Sequence, residues 1–174
     1  PDPRQDLLAG QHPPRRFETA VDTLKRSRRK GLASLYELPW YIVIGPPGSG
    51  KTTVLVNSGL SFPLAQKFGK EALRGIGGTR NCDWWFTDEA VLLDTAGRYT
   101  TQDSDASSDQ KSWFAFLDLL KKNRPRQPIN GVIVAISLED LMTLSSAELN
   151  AHSNAIRARL LELHERLKVD FPVY

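Results

Sequence analysis

One cysteine, Cys82, and three histidines, His12, His152 and His164, stand in a chain of 174 residues. A lone cysteine excludes an intrachain disulfide framework and suits a reducing compartment; the histidines lack metal-ligand spacing, so no zinc site is expected. Long apolar runs are also missing. The longest, Trp40 to Ile44 and Gly131 to Ile136, fall far short of the roughly 20 residues that cross a bilayer. No signal-peptide-like apolar region opens the chain, and nothing in it is expected to span a membrane. Excess charge of one sign is slight, +3 in all, too mild to indicate nucleic-acid binding.

What is present describes a folding chain. Apolar residues make up 40% and charged residues 25%, near the globular norm, and with no internal repeat the length fits one domain. Basic charge collects at one end, where Arg15, Arg16, Lys25, Arg26, Arg28, Arg29 and Lys30 outnumber nearby acids. Such a cluster suits anionic lipid headgroups or a phosphate backbone, or is a solvated helix face.

Pro1, Pro3, Pro13 and Pro14 make residues 1–14 a linker. Phe17, Val21 and Leu24 then recur at helical spacing, so residues 15–38 read as a basic helix and lead-in. The domain proper is expected over 39–174. It begins with Trp40 to Ile44, a β-branched and aromatic run suited to a strand covered on both faces. A glycine-rich loop follows, then a helix from Lys51 to about Ser58. Cys82 to Phe86 and Ala90 to Asp94, separated by three polar residues, predict an antiparallel hairpin. Tyr99 to Lys111 is polar, has no face to bury and reads as a mobile surface loop. Trp113, Phe116, Leu117 and Leu120 mark an amphipathic helix and Val132 to Ile136 a buried strand. Ser145-x-x-Glu148 is a capping box opening a helix with Leu149, Ile156, Leu160, Leu163 and Leu167 on one stripe. Phe171 to Tyr174 reads as the start of another strand. The class is α/β: a mainly parallel sheet with one antiparallel hairpin strand and helices on both faces.

Gly45-Pro-Pro-Gly-Ser-Gly-Lys51-Thr52 fits G-x-x-x-x-G-K-[ST] between a predicted strand and a predicted helix, the setting a P-loop requires. Gly45, Gly48 and Gly50 let successive amides turn toward one anion, and the helix N-terminus adds positive potential. The expected nucleotide-binding set is Gly45, Pro46, Pro47, Gly48, Ser49, Gly50, Lys51, Thr52 and Thr53. In it Lys51 reaches the β- and γ-phosphates and the Thr52 hydroxyl coordinates Mg²⁺. Val91-Leu-Leu-Asp94 delivers a carboxylate to the same sheet edge as a second metal-side group. Asp94-Thr-Ala-Gly97 has the D-x-x-G form, which brings the Gly97 amide to the γ-phosphate. Thr79, in Gly77-Gly-Thr-Arg80, occupies the switch-loop position that offers a hydroxyl to Mg²⁺; a plain polar loop is its alternative. Trp84 and Trp85 read as packing residues.

These strings, with Leu35 to Thr53, Val56-Asn-Ser-Gly-Leu60, Asp83-Trp-Trp85, Leu93 to Tyr99 and Phe171 to Tyr174, resemble the TssM (IcmF) family of type VI secretion systems. The resemblance implies a GTPase-like P-loop NTPase domain on the cytoplasmic face of the bacterial inner membrane, in a longer chain with transmembrane helices. It further implies TssL and TssJ as partners in the membrane complex, with baseplate proteins as further candidates, and no nucleic acid. ATP, or alternatively GTP, is the implied nucleotide. A guanine-reading [NT]-K-x-D string is absent; in the family a similar string follows the Phe171 to Tyr174 segment, so the domain is expected to stop before its base-recognition strand ends. Arg98 stands where many GTPases carry a water-orienting glutamine. It cannot accept that hydrogen bond, which leaves slow hydrolysis, charge stabilisation by Arg98, or a structural ion pair.

Three activities are compatible with these residues. In the first, a Mg²⁺-dependent nucleoside triphosphatase, Lys51, Asp94, Thr79 and Arg98 are the catalytic set and Thr52, Asp94 and Thr79 the metal ligands. The second is a nucleotide-responsive scaffold with little turnover. The third, a small-molecule kinase, needs an arginine-bearing lid, whereas the 99–111 stretch is acidic and has no arginine.

Overall fold

Trp40 to Ile44 form the strand their β-branched composition predicts, and its burial on both faces sets the layer order around it. The computed structural model describes residues 34–62, 82–102 and 106–174. The linker, the basic helix and the loop carrying Thr79 and Arg80 lie outside these residues.

In chain order the elements are α1 (Ser34–Glu37), β1 (Trp40–Ile44), α2 (Lys51–Val56), β2 (Cys82–Phe86), β3 (Val91–Thr95) and α3 (Gly97–Thr101). Then come α4 (Ala106–Asn123), β4 (Gly131–Val134), α5 (Leu138–Thr143) and α6 (Ser146–Leu167). The strand order is β2-β3-β1-β4. β1 runs parallel to β3 and β4, while β2 pairs antiparallel with β3. The described residues are thus an α/β unit with a mixed four-stranded sheet and the expected hairpin. Val173 adds an isolated parallel bridge to Val132, with Tyr174 N–H donating to the Val132 carbonyl at 2.9 Å.

Strand alternation sends neighbouring side chains to opposite faces. On one face Trp40, Ile42, Ile44, Trp84 and Leu93 pack with Trp113, Leu117 and Leu120 of α4 and Leu163 and Leu167 of α6. On the other, Val43, Trp85 and Leu92 pack with Leu55 of α2. Trp84 and Trp85 are both buried, one on each face, as packing residues. Arg124 closes the far end of the first layer, stacked 4.5 Å over the Trp40 ring and 5.1 Å over Tyr36. The α6 capping box at Ser145 and Glu148 is present.

Two expectations are corrected. The polar stretch 99–111 is not a loop where it is described: Gly97–Thr101 and Ala106–Asn123 are helical. Its polar residues are buried by specific partners, Thr100 against the Gly45 amide and Asp109 against Arg98, while Tyr99 packs on Trp113 at 5.9 Å. The predicted strand to Ile136 ends at Val134, and Ile136 is half exposed, leading into a short helix that the pattern does not announce.

Candidate functional site

The loop between β1 and α2 is shaped by backbone that side chains rarely tolerate. Gly48 and Gly50 adopt φ of 78° and 80°, the left-handed region where a Cβ is disfavoured. Gly45 is required by contact, since a Cβ there would meet the Ala135 carbonyl oxygen at 2.2 Å. Its amide donates to Thr100 Oγ1 at 3.1 Å, tying the loop to α3.

Lys51, the first residue of α2, is only 7% exposed. Its Nζ donates to the Gly45 and Pro46 carbonyls at 2.8 Å each and to Ser49 Oγ at 3.2 Å. Burial lowers its pKa, and the Asp94 charge partly opposes that. The ammonium group is therefore held against the loop by backbone and hydroxyl acceptors.

Thr52 and Asp94 meet across the sheet edge. Thr52 Oγ1 donates to Asp94 Oδ2 at 2.5 Å. Asp94 is 4% exposed, and its Oδ1 is buried with no hydrogen-bond partner among the described residues. Burial raises its pKa above 3.8, with the Thr52 hydrogen bond and the Lys51 charge pulling the other way. A half-satisfied buried carboxylate beside a hydroxyl is the donor set that a hard cation takes up. Among the described residues no group of three His, Cys, Asp or Glu side chains could hold a metal alone. Thr52 and Asp94 thus offer the oxygen donors that a hard cation such as Mg²⁺ would take up.

A cleft of about 290 Å³ opens here, between Pro47, Lys51 and Thr53 on one wall and Asp94, Thr95 and Gly97 on the other. Gly97 closes against Pro47 so tightly that a Cβ would lie 2.5 Å from Pro47 Cα. Gly48, Gly50 and Thr52 also line it, whereas Gly45, Pro46 and Ser49 serve through their contacts with Lys51. Arg98 does not line this cleft; its Nε meets Asp109 Oδ1 at 2.7 Å and its guanidinium lies 5.0 Å from the Tyr99 ring centre. Thr79 lies outside the described residues.

Three residues of the neighbourhood escape sequence reasoning. Thr100 receives the loop amide, and Thr95 Oγ1 donates to the Val43 carbonyl at 2.7 Å, fixing β3 to β1 beside the cleft. Asp83 sits directly across β2 from Asp94 in the antiparallel register and is buried. The hairpin offset, counted from its turn, is the signal that could have found it. Behind these groups Arg159 donates to the Tyr99 carbonyl at 3.1 Å and to Glu162 at 2.8 Å, and Trp113 Nε1 donates to Glu162 at 2.9 Å. This network locks α3 to α4 and α6.

The family described as IcmF-related N-terminal domain matches residues 106–174. The type VI secretion system component TssM1 of Pseudomonas aeruginosa is 63% identical over 161 residues, which cover 91% of this chain. The chain spans about 15% of the length of that relative. No solved structure matches this chain significantly.

Proposed function

The IcmF-related N-terminal domain and the 63% identical TssM1 support the TssM family for this chain, and on that premise we propose that it is the nucleotide-binding module of a type VI secretion inner-membrane component. The module has a GTPase-like P-loop NTPase fold, works on the cytoplasmic face, and belongs to a membrane complex with TssL and TssJ. Its ligand is a nucleoside triphosphate, ATP or alternatively GTP, with Mg²⁺. The observation that carries this reading is the juxtaposition of Thr52 Oγ1 and Asp94 Oδ2 at 2.5 Å, below a loop that holds the Lys51 ammonium in place.

Residue by residue, the loop amides from Gly48 to Thr52 and the positive end of α2 bind phosphate oxygens. Lys51 exchanges its hydrogen bonds to loop carbonyls for charge-assisted ones to β- and γ-phosphates. Thr52 and Asp94 hold the cation, and Gly97 permits the D-x-x-G backbone to approach the terminal phosphate. When bound, Mg²⁺ would supply neutralisation of the phosphate charge. Catalysis on such a site is positioning and electrostatics rather than covalent chemistry.

A second reading, a nucleotide-responsive scaffold with little turnover, is favoured by one observation. Arg98, at the position of a water-orienting group, has its Nε committed to Asp109. Titration calorimetry with Mg·ATP and Mg·GTP, alongside phosphate release, on wild type, Lys51→Ala and Asp94→Asn separates the two. Turnover that both substitutions abolish supports the enzyme; Mg²⁺-dependent binding without turnover supports the scaffold. A wild type that binds neither triphosphate rejects both.

A further inference from the structure

Helix α5 carries an exposed apolar face. Leu138, Leu141 and Met142 fall at i, i+3 and i+4, one face of a helix, yet they are 77%, 50% and 86% exposed. Ile136, two residues before, is 52% exposed. Asp140 lines a small cavity of about 70 Å³ with Pro46, Leu149, His152 and Ile156, and Ile136 and Leu141 line it too. Single exposed apolar residues are ordinary, but four large ones within seven residues make a contiguous ridge of the kind that marks a protein contact.

Along the chain, the charge on the segment that carries the ridge has one sign. From Arg126 to Arg157 there is no intervening lysine or arginine, while Glu139, Asp140 and Glu148 all fall in that span. Glu148 is kept ionised by hydrogen bonds from the Ser145 hydroxyl and amide, which lower its pKa. An anionic lipid surface or a nucleic acid would meet like charge here. A second copy docking the same ridge on itself would bring the two acidic rims together, since a two-fold contact repeats each patch against its twin. A segment of opposite charge meets neither objection.

We infer that residues 136–142 form a docking ridge for an amphipathic helix of another protein, one that carries an apolar stripe flanked by lysine or arginine. The stripe covers Ile136, Leu138, Leu141 and Met142, and a basic side chain enters the cavity toward Asp140. Because Pro46 forms part of that cavity, the occupant abuts the loop that carries Lys51. The inference stands apart from the nucleotide reading and needs no bound ligand.

The test uses two labelled synthetic peptides of equal length with the same leucine stripe, one flanked by lysine and one by glutamate, titrated by fluorescence anisotropy with the chain. Expected are saturable binding of the lysine peptide, weakening as salt rises, and binding of the glutamate peptide about ten-fold weaker or less. The double substitution L138S/M142S, at positions that contribute little to the core, is expected to weaken the lysine peptide about ten-fold while leaving the melting temperature unchanged. Equal affinity for the two peptides, or no loss in the double variant, overturns the inference. So does sedimentation showing self-association that the double variant dissolves, or binding to phosphatidylserine vesicles that it abolishes.

Discussion

Thr52 Oγ1 and Asp94 Oδ2 lie 2.5 Å apart, although 42 residues separate them in the chain. The parallel register that pairs Val43 with Asp94 brings the end of β3 beside the loop leaving β1, and the α2 helix begins there. The contact therefore depends on sheet pairing and glycine backbone together, and substitutions in either should be felt at the other.

Asp94→Asn tests the carboxylate through pH. Burial raises the folded pKa of Asp94 above 3.8, so the folded state holds its proton more tightly than the unfolded chain does. This group favours folding below 3.8 and loses that contribution as pH rises through its folded value. At neutral pH without Mg²⁺ the Asn variant is expected to melt higher than wild type, by about 2–4 °C for each kcal/mol relieved. The gap should close under acid, and Mg²⁺ should raise the melting temperature of wild type alone. Calorimetric scans across pH, with and without the cation, check all three outcomes.

Lys51→Ala removes the one ammonium group that the loop carbonyls hold. Triphosphate affinity measured by calorimetry is expected to fall about 10- to 100-fold, equivalent to losing a charged hydrogen bond of about 1.5–3 kcal/mol. Retained affinity would mean that the backbone amides suffice.

Gly97→Ala places a methyl group against Pro47, where both neighbours are backbone and neither can swing aside. The expected result is destabilisation of about 1–3 kcal/mol in urea titrations, with reduced triphosphate binding because the cleft is wedged open. An Ala variant of wild-type stability would show that the D-x-x-G segment is free to shift.

Arg98 and Asp109 should respond asymmetrically to removal of each partner. Asp109 is the more buried of the two, so Arg98→Ala leaves an unpaired carboxylate inside and is expected to destabilise by about 1–3 kcal/mol. Asp109→Asn leaves a better-solvated guanidinium and should be milder in the same urea titration. A turnover loss of about 10³-fold in Arg98→Ala that Asp109→Asn does not share would instead assign Arg98 to the transferring phosphoryl group.

The glycine loop, the hairpin and the large apolar stripes were readable because each is a local signal: a backbone requirement, a turn between two β-branched runs, a helical period. The 99–111 stretch was not. Thr100 and Asp109 look solvent-loving in sequence and are buried only because Gly45 and Arg98 receive them, 55 and 11 residues away. Composition cannot report a partner that distant. Helix α5 went unread for a different reason, since it is short and Leu138 and Met142 are exposed rather than packed in the core. The pairing of Asp83 with Asp94 needed the strand register, which follows from the turn rather than from either residue.

Cys82, the lone cysteine, opens β2 opposite Thr95 and is buried. Burial, then the charges of Asp83 and Asp94, push its pKa well up, so the sulfur is both shielded and protonated. Alkylating reagents are expected to reach it slowly, at a rate set by opening of the structure around β2. The chain thus carries a built-in clock for the opening of the strand that borders Asp94, readable from the rate of thiol modification without a foreign probe.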